Sequence, residues 1–173
     1  MTEFALLWGV RATFVRYVAR QPGASASVGG GAASTSDNRF VFPSFSADAS
    51  ADSTAATTME FAGSVQFTAH GGILDLLLAD PWLEENRRTL RLSFATRGAN
   101  GQLSRTAVAE LIEKPTGRHD EGRRRWEAKL TQPGSAVFGG MYSPGESLDP
   151  VFLIPSPLTA LSPPTPINGK NET

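Results

Sequence analysis

Phe61-Ala62-Gly63-Ser64-Val65-Gln66-Phe67-Thr68-Ala69-His70, followed by Gly71-Gly72 and Ile73-Leu74-Asp75-Leu76-Leu77-Leu78, is the stretch that decides the fold class. Phe61, Val65, Phe67 and Ala69 alternate with Ser64, Gln66, Thr68 and His70. A period of two sets one face of a strand against a core and the other toward water. The Gly-Gly pair supplies a turn, and the apolar run from Ile73 to Leu78, whose lone charge is Asp75, returns as the partner strand until Asp80-Pro81 ends it. His70 falls on the less apolar face, at the strand's end.

The same pattern recurs on both sides. Toward the C-terminus, Leu90, Leu92 and Phe94 share one face of Thr89–Thr96, and Asn100-Gly101 is a hairpin signal before a strand over Gln102–Glu113. Trp126, Ala128 and Leu130 alternate after a charged loop, Arg118–Arg125, and Ser147–Ile154 offers a last strand. Toward the N-terminus, Thr2–Trp8 reads as a strand broken by Gly9, a short helix starts near Val10, and Arg39–Phe42 is a short strand stopped by Pro43. Gln21–Ser36, rich in Gly, Ala and Ser, reads as an exposed, mobile connection, and Asp48–Thr58 as a second loop. These segments predict a mainly β domain over residues 1–154, an antiparallel sandwich or barrel-like sheet with one short N-terminal helix. Repeated prolines without periodicity from Pro155 predict a disordered tail over 155–173.

Composition narrows the chemistry. With 16 Lys and Arg against 17 Asp and Glu, the net charge of -1 gives no electrostatic reason to expect nucleic acid or an anionic membrane surface. The absence of cysteine excludes disulfides, thiolate zinc sites, iron–sulfur clusters and thiolate-ligated haem. No run approaches the roughly 20 apolar residues of a membrane helix. No basic and apolar leader opens the chain: it reads as cytoplasmic if complete, or as a protein whose leader lies outside this sequence.

Few active sites can be built from two histidines. His70 and His119 have no H-x-x-x-H or clustered carboxylate spacing, and His119 sits in a hydrophilic run as a surface residue. No G-x-S-x-G elbow is present, and Gly29-Gly30-Gly31 lacks the Lys-Ser/Thr of a phosphate loop. Tyr17 and His70 remain. In a helix starting near Val10, Phe14, Tyr17 and Val18 fall at i, i+3 and i+4, which points Tyr17 inward. An inward phenol is either a core tyrosine with one hydrogen-bond partner or an anionic ligand for an electrophile such as ferric iron.

Three separated stretches together resemble the HtaA family of haem-binding domains of actinobacterial haem uptake. They are Trp8-Gly9-Val10 running to Phe14-Val15-Arg16-Tyr17-Val18, the stretch Gly63 to Leu76, and Phe138-Gly139-Gly140-Met141-Tyr142 with Leu148-Asp149-Pro150. The resemblance implies a β-rich domain holding one ferric b-type haem, with Tyr17 as axial ligand and His70 hydrogen-bonded to the phenolate. A phenolate is a hard anionic donor that favours ferric over ferrous iron, and an imidazole beside it tunes its strength. Phe14 and Phe67 are then candidate pocket walls, and Arg16 a partner for a propionate or an ordinary exposed helix arginine. Met141 lines the pocket or fills core.

Three functions follow. The first is a non-enzymatic protein for haem uptake, relay or storage, which exchanges haem with other haem-binding proteins, inserts in no membrane and leaves a homodimer open. The second is a catalase- or peroxidase-type enzyme, which needs a distal acid–base group that the sequence does not offer. The third is a haem-free structural or adhesion sandwich in which Tyr17 and His70 form a buried hydrogen bond.

Overall fold

In a computed structural model, described over residues 4–45, 57–117 and 123–156, the alternating segments are strands of one antiparallel sheet. In chain order the elements are β1 (Phe4–Trp8), α1 (Ala12–Ala19), β2 (Ser25–Gly29), β3 (Ala33–Ser34), β4 (Phe40–Pro43), β5 (Thr57–Glu60) and β6 (Ser64–Ala69). A 3-10 turn, His70–Gly72, leads to β7 (Leu74–Glu85), β8 (Leu90–Arg97), β9 (Leu103–Lys114), β10 (Arg124–Leu130), α2 (Gln132–Val137) and β11 (Ser147–Pro155).

The spatial order is β2-β6-β7-β8-β9-β10-β11-β1-β4-β3, with β5 paired to β7. The two ends of this path come together. Ser44 bridges Phe61, Phe45 N donates to Glu60 O, Ala62 N donates to Pro43 O, and β2 turns directly into β3. The result is a nearly closed barrel, which removes most of the free strand edge of an open sheet. Gly63 sits at this seam with φ +113, and a Cβ there would lie 2.6 Å from Ala32 N. Inside, Trp8 stacks on Phe94 at 5.3 Å, Phe42 meets Phe94 edge-on at 6.0 Å, and Leu6, Leu78 and Trp126 are buried around them. Among the described residues no helix is long and apolar enough to cross a membrane.

Four expectations change. Gln21–Ser36 is not a bare connection: β2 pairs with β6 from Ser25↔Thr68 to Gly29↔Ser64, and β3 pairs with β4. Pairing uses backbone N–H and C=O groups, which Ser, Ala and Gly carry as well as Val does; the exposed side chains leave no alternation to read. Asp80-Pro81 does not end β7 but forms a bulge, since the register with β8 shifts between Ala79 and Trp82. Asp80 takes φ +46, its carboxylate accepts from Gly63 N at 3.0 Å, and Arg105, seated 3.8 Å over the Trp82 ring, donates to Asp80 O at 2.7 Å. Burial lowers the Arg105 pKa, against the pull of Glu84, Asp80 and Glu60.

Two further differences are local. A second helix, α2, follows Thr131, whose Oγ1 accepts from Gly134 N at 2.9 Å, with proline in the first turn. Arg124 and Arg125 belong to β10 rather than to the charged loop, and Thr57-Thr58 to β5. The rest of the second loop over 46–56, His119 and the tail over 157–173 lie outside the described residues.

Candidate functional site

Trp8, Gly9 and Val10 lead from the barrel wall into α1, and their partner is Asp149, 137 residues beyond Ala12. Arg11 occupies the N-cap position without a side-chain cap bond; Asp149 Oδ1 instead accepts from Ala12 N at 3.1 Å. This satisfies a free amide at the first turn and places a carboxylate at the positive end of the helix. Asp149 N donates to Val10 O at 3.0 Å, and Asp149 O accepts from Trp8 Nε1 at 2.9 Å. Val10 has φ +62, a conformation that costs a β-branched residue on the order of 1–3 kcal/mol and persists only when its surroundings hold it. Gly9 makes the approach feasible, because a Cβ there would lie 2.5 Å from Asp149 Oδ2. The resemblance stretches Trp8-Gly9-Val10 and Leu148-Asp149-Pro150 are thus the two halves of one seat.

The inner face of α1 is Phe14 and Val18, both buried. Phe14 meets Phe67 and Phe138 edge-on, each at 5.3 Å, and Tyr142 at 6.5 Å. The helix therefore lies between the turn after β6 and the loop after α2. Phe14 and Phe67, expected as pocket walls, are packed with Phe138 beneath α1 and leave almost no surface for a ligand in this arrangement.

Tyr17 does not point inward; it is 40% exposed. At about 100° per residue Tyr17 lies some 60° from Phe14 on the side away from Val18, so the buried stripe ends before it. Tyr17 O accepts from Gln21 Nε2 at 3.1 Å, and the next residue's carbonyl, Pro22 O, accepts from His70 N at 3.0 Å. The last turn of α1 and the turn carrying His70 are thereby tied together. Among the described residues neither the Tyr17 hydroxyl nor the His70 ring has a hydrogen-bond partner, and His70 is exposed with φ +54. Arg16 is exposed and its guanidinium likewise has no partner among the described residues. Met141, 47% exposed, is not core filler.

Among the described residues no group of three or more His, Asp or Glu side chains is arranged to hold a metal ion. An iron held here has to bring its other ligands as a chelate. The donors present would suit such a chelate: the Tyr17 phenol could supply an anionic oxygen, the His70 imidazole lies on the adjoining turn, and the exposed apolar Ile73 follows three residues after it. A separate cleft of about 370 Å³ beside α2, with Arg91, Glu110 and Lys129 on its walls, contains none of these residues. Sequence reasoning assigned no role to Asp149 or Ile73; Gly9 and Asp149 stood inside the quoted stretches, but their contact is visible only in three dimensions.

The HtaA family model, described as Htaa, matches residues 3–153. The C-terminal domain of HtaA from Corynebacterium glutamicum aligns at 27% identity and a TM-score of 0.70, over 88% of this chain and 94% of that one. The N-terminal domain of the same protein aligns at 26% identity and a TM-score of 0.71, over 90% and 98%. The heme binding protein HtaB of that organism shares the fold at 20% identity and a TM-score of 0.64, over 90% and 96%. A sequence search of curated proteins returns no match.

Proposed function

The chain belongs to the HtaA family, and from that premise we propose that it is a haem-binding protein of uptake, relay or storage, holding one ferric b-type haem at the α1 end of the barrel through Tyr17. The observation that carries the reading is the pair of donors without partners among the described residues, the Tyr17 phenol and the His70 imidazole, on two adjoining turns at the surface. The haem-free alternative needed those groups buried and bonded to each other, and it loses its support.

Bound there, haem would supply a ferric iron able to take an anionic oxygen as ligand. Tyr17 would hold the group through Oη as a phenolate, its proton passing to solvent at the exposed site, and a hard negative charge there favours the ferric state. His70 orients that phenolate and, by donating a hydrogen bond to Oη, holds part of its charge. For this the His70 ring would have to turn toward Tyr17. Phe14, Phe67 and Phe138 form the floor that keeps α1 from shifting, and Asp149 sets where the helix begins. Arg16, one residue from Tyr17 and with no partner for its guanidinium among the described residues, would meet a propionate. The role is binding and transfer rather than catalysis.

Titration of ferric haem into wild type, Tyr17→Ala and His70→Ala, followed by absorbance, tests the reading. Wild type should saturate at one haem per chain with a phenolate-to-iron charge-transfer band. Tyr17→Ala should lose the band and saturable binding, and His70→Ala should weaken affinity by about 10–100-fold, as loss of a group supporting a metal ligand does. Equal, non-saturating uptake by wild type and Tyr17→Ala would defeat it.

A further inference from the structure

Two turns flank α1, and they are built alike. His70, Gly71 and Gly72 take φ values of 54°, 65° and 94°, and the next residue is Ile73. Across the helix, Gly139 and Gly140 take 66° and 73°, and the next residue is Met141. A Cβ at any of these four glycines would meet nothing within 4 Å, whereas at Gly9 and Gly134 it would lie 2.5 and 2.3 Å from Asp149 Oδ2 and Val108 O. The site glycines therefore answer no crowding within the chain. They turn the backbone outward and leave space beside it. Each turn ends in a large apolar side chain facing solvent, Ile73 at 89% and Met141 at 47% exposure. Val28, Leu103 and Ile112 are also exposed but lie along strands, and Phe45 follows the end of β4. Ile73 is three residues from His70, on a turn tied by His70 N to the chain leaving α1. A β-branched apolar side chain held almost wholly in water, near two donor groups that have no partner among the described residues, is suited to a flat apolar ligand laid against that turn.

Resting on the haem reading above, we infer that Ile73 is a binding residue of the haem crevice: its side chain packs against the porphyrin and retards release, opposite the wall formed by Met141. The side chain contributes little to the empty protein, so its removal separates binding from folding.

The experiment measures release of haem from the loaded full chain to an excess of an apo-globin, at concentrations where the rate no longer depends on the globin. Ile73→Ser should release haem about tenfold faster, the factor expected from losing one buried aliphatic side chain. Ile73→Leu should stay within about twofold of wild type, because it restores the apolar volume. Ile112→Ser, on β9, should release at the wild-type rate, and the melting temperature of haem-free Ile73→Ser should equal that of the wild type. Release from Ile73→Ser at the wild-type rate, while Tyr17→Ala still fails to hold haem, overturns the inference and leaves the haem reading standing. A matching fall in the melting temperature of haem-free Ile73→Ser also overturns it, by making the side chain structural. If wild type and Tyr17→Ala take up haem equally poorly, the haem reading itself has failed and this inference with it.

Discussion

The two helices make the same entry from a barrel strand and are fastened in opposite ways. α2 is capped by its own segment: Thr131, its N-cap, accepts from Gly134 N at 2.9 Å. α1 has no cap of its own, and its first amide is satisfied by Asp149 from the start of β11. Thr131 also donates through Oγ1 to Ala107 O of the neighbouring strand β9, so the cap of α2 is supplied by its own segment and anchored to the adjacent strand. A helix capped across the barrel reports the position of a distant strand, and α1 is the helix that carries Tyr17. Its placement is a tertiary property.

The sharpest way to break this comparison is Gly9→Ala. The added Cβ drives Asp149 from its seat, and we expect a loss of about 3 kcal/mol in denaturant unfolding, the scale of overpacking combined with a lost cap. Stability within about 0.5 kcal/mol of wild type, the range of a neutral surface change, would mean that the seat relaxes freely. Asp149→Ala is next. It leaves Ala12 N without its acceptor and removes the charge at the helix start, for about 2 kcal/mol, and should also speed haem release because Tyr17 moves with the helix. Asp149→Asn, which keeps an acceptor oxygen, should restore most of both.

Thr131→Ala should cost about 1 kcal/mol, yet leave the haem spectrum and release rate unchanged. An equal effect of Thr131→Ala and Asp149→Ala on release would erase the distinction between the helices. The smallest effect is expected for Arg11→Ala: its ion pair with Glu146, at 3.4 Å, is partly exposed, and its removal should cost under about 1 kcal/mol, less in high salt.

Legibility followed the physics of each region. Where side chains alternate against the core, as in Val65, Phe67 and Ala69 or Trp126, Ala128 and Leu130, strand and inner face could both be read. β2 was invisible because an exposed strand of Ser, Ala and Gly is held by its backbone alone. β7 ran past Asp80-Pro81 because a proline in a bulge leaves no ladder bond unmade. α2 carried a readable signal, Thr131 followed by Pro133, which the neighbouring glycines masked. For the site, Tyr17 and His70 were legible as chemistry but not as geometry: the helical spacing placed Tyr17 inward, and its position beyond the edge of the buried stripe turns it to the surface.

The sequence by itself determined the fold class, the absence of thiolate chemistry and the family, because residue type and short-range period carry that information. Tertiary structure decided that the sheet closes on itself, that Asp149 rather than any neighbour caps α1, and that Tyr17 and His70 stand exposed on adjoining turns. Those outcomes depend on contacts between residues far apart in the chain, 137 positions between Ala12 and Asp149, and no local pattern encodes a distance of that kind.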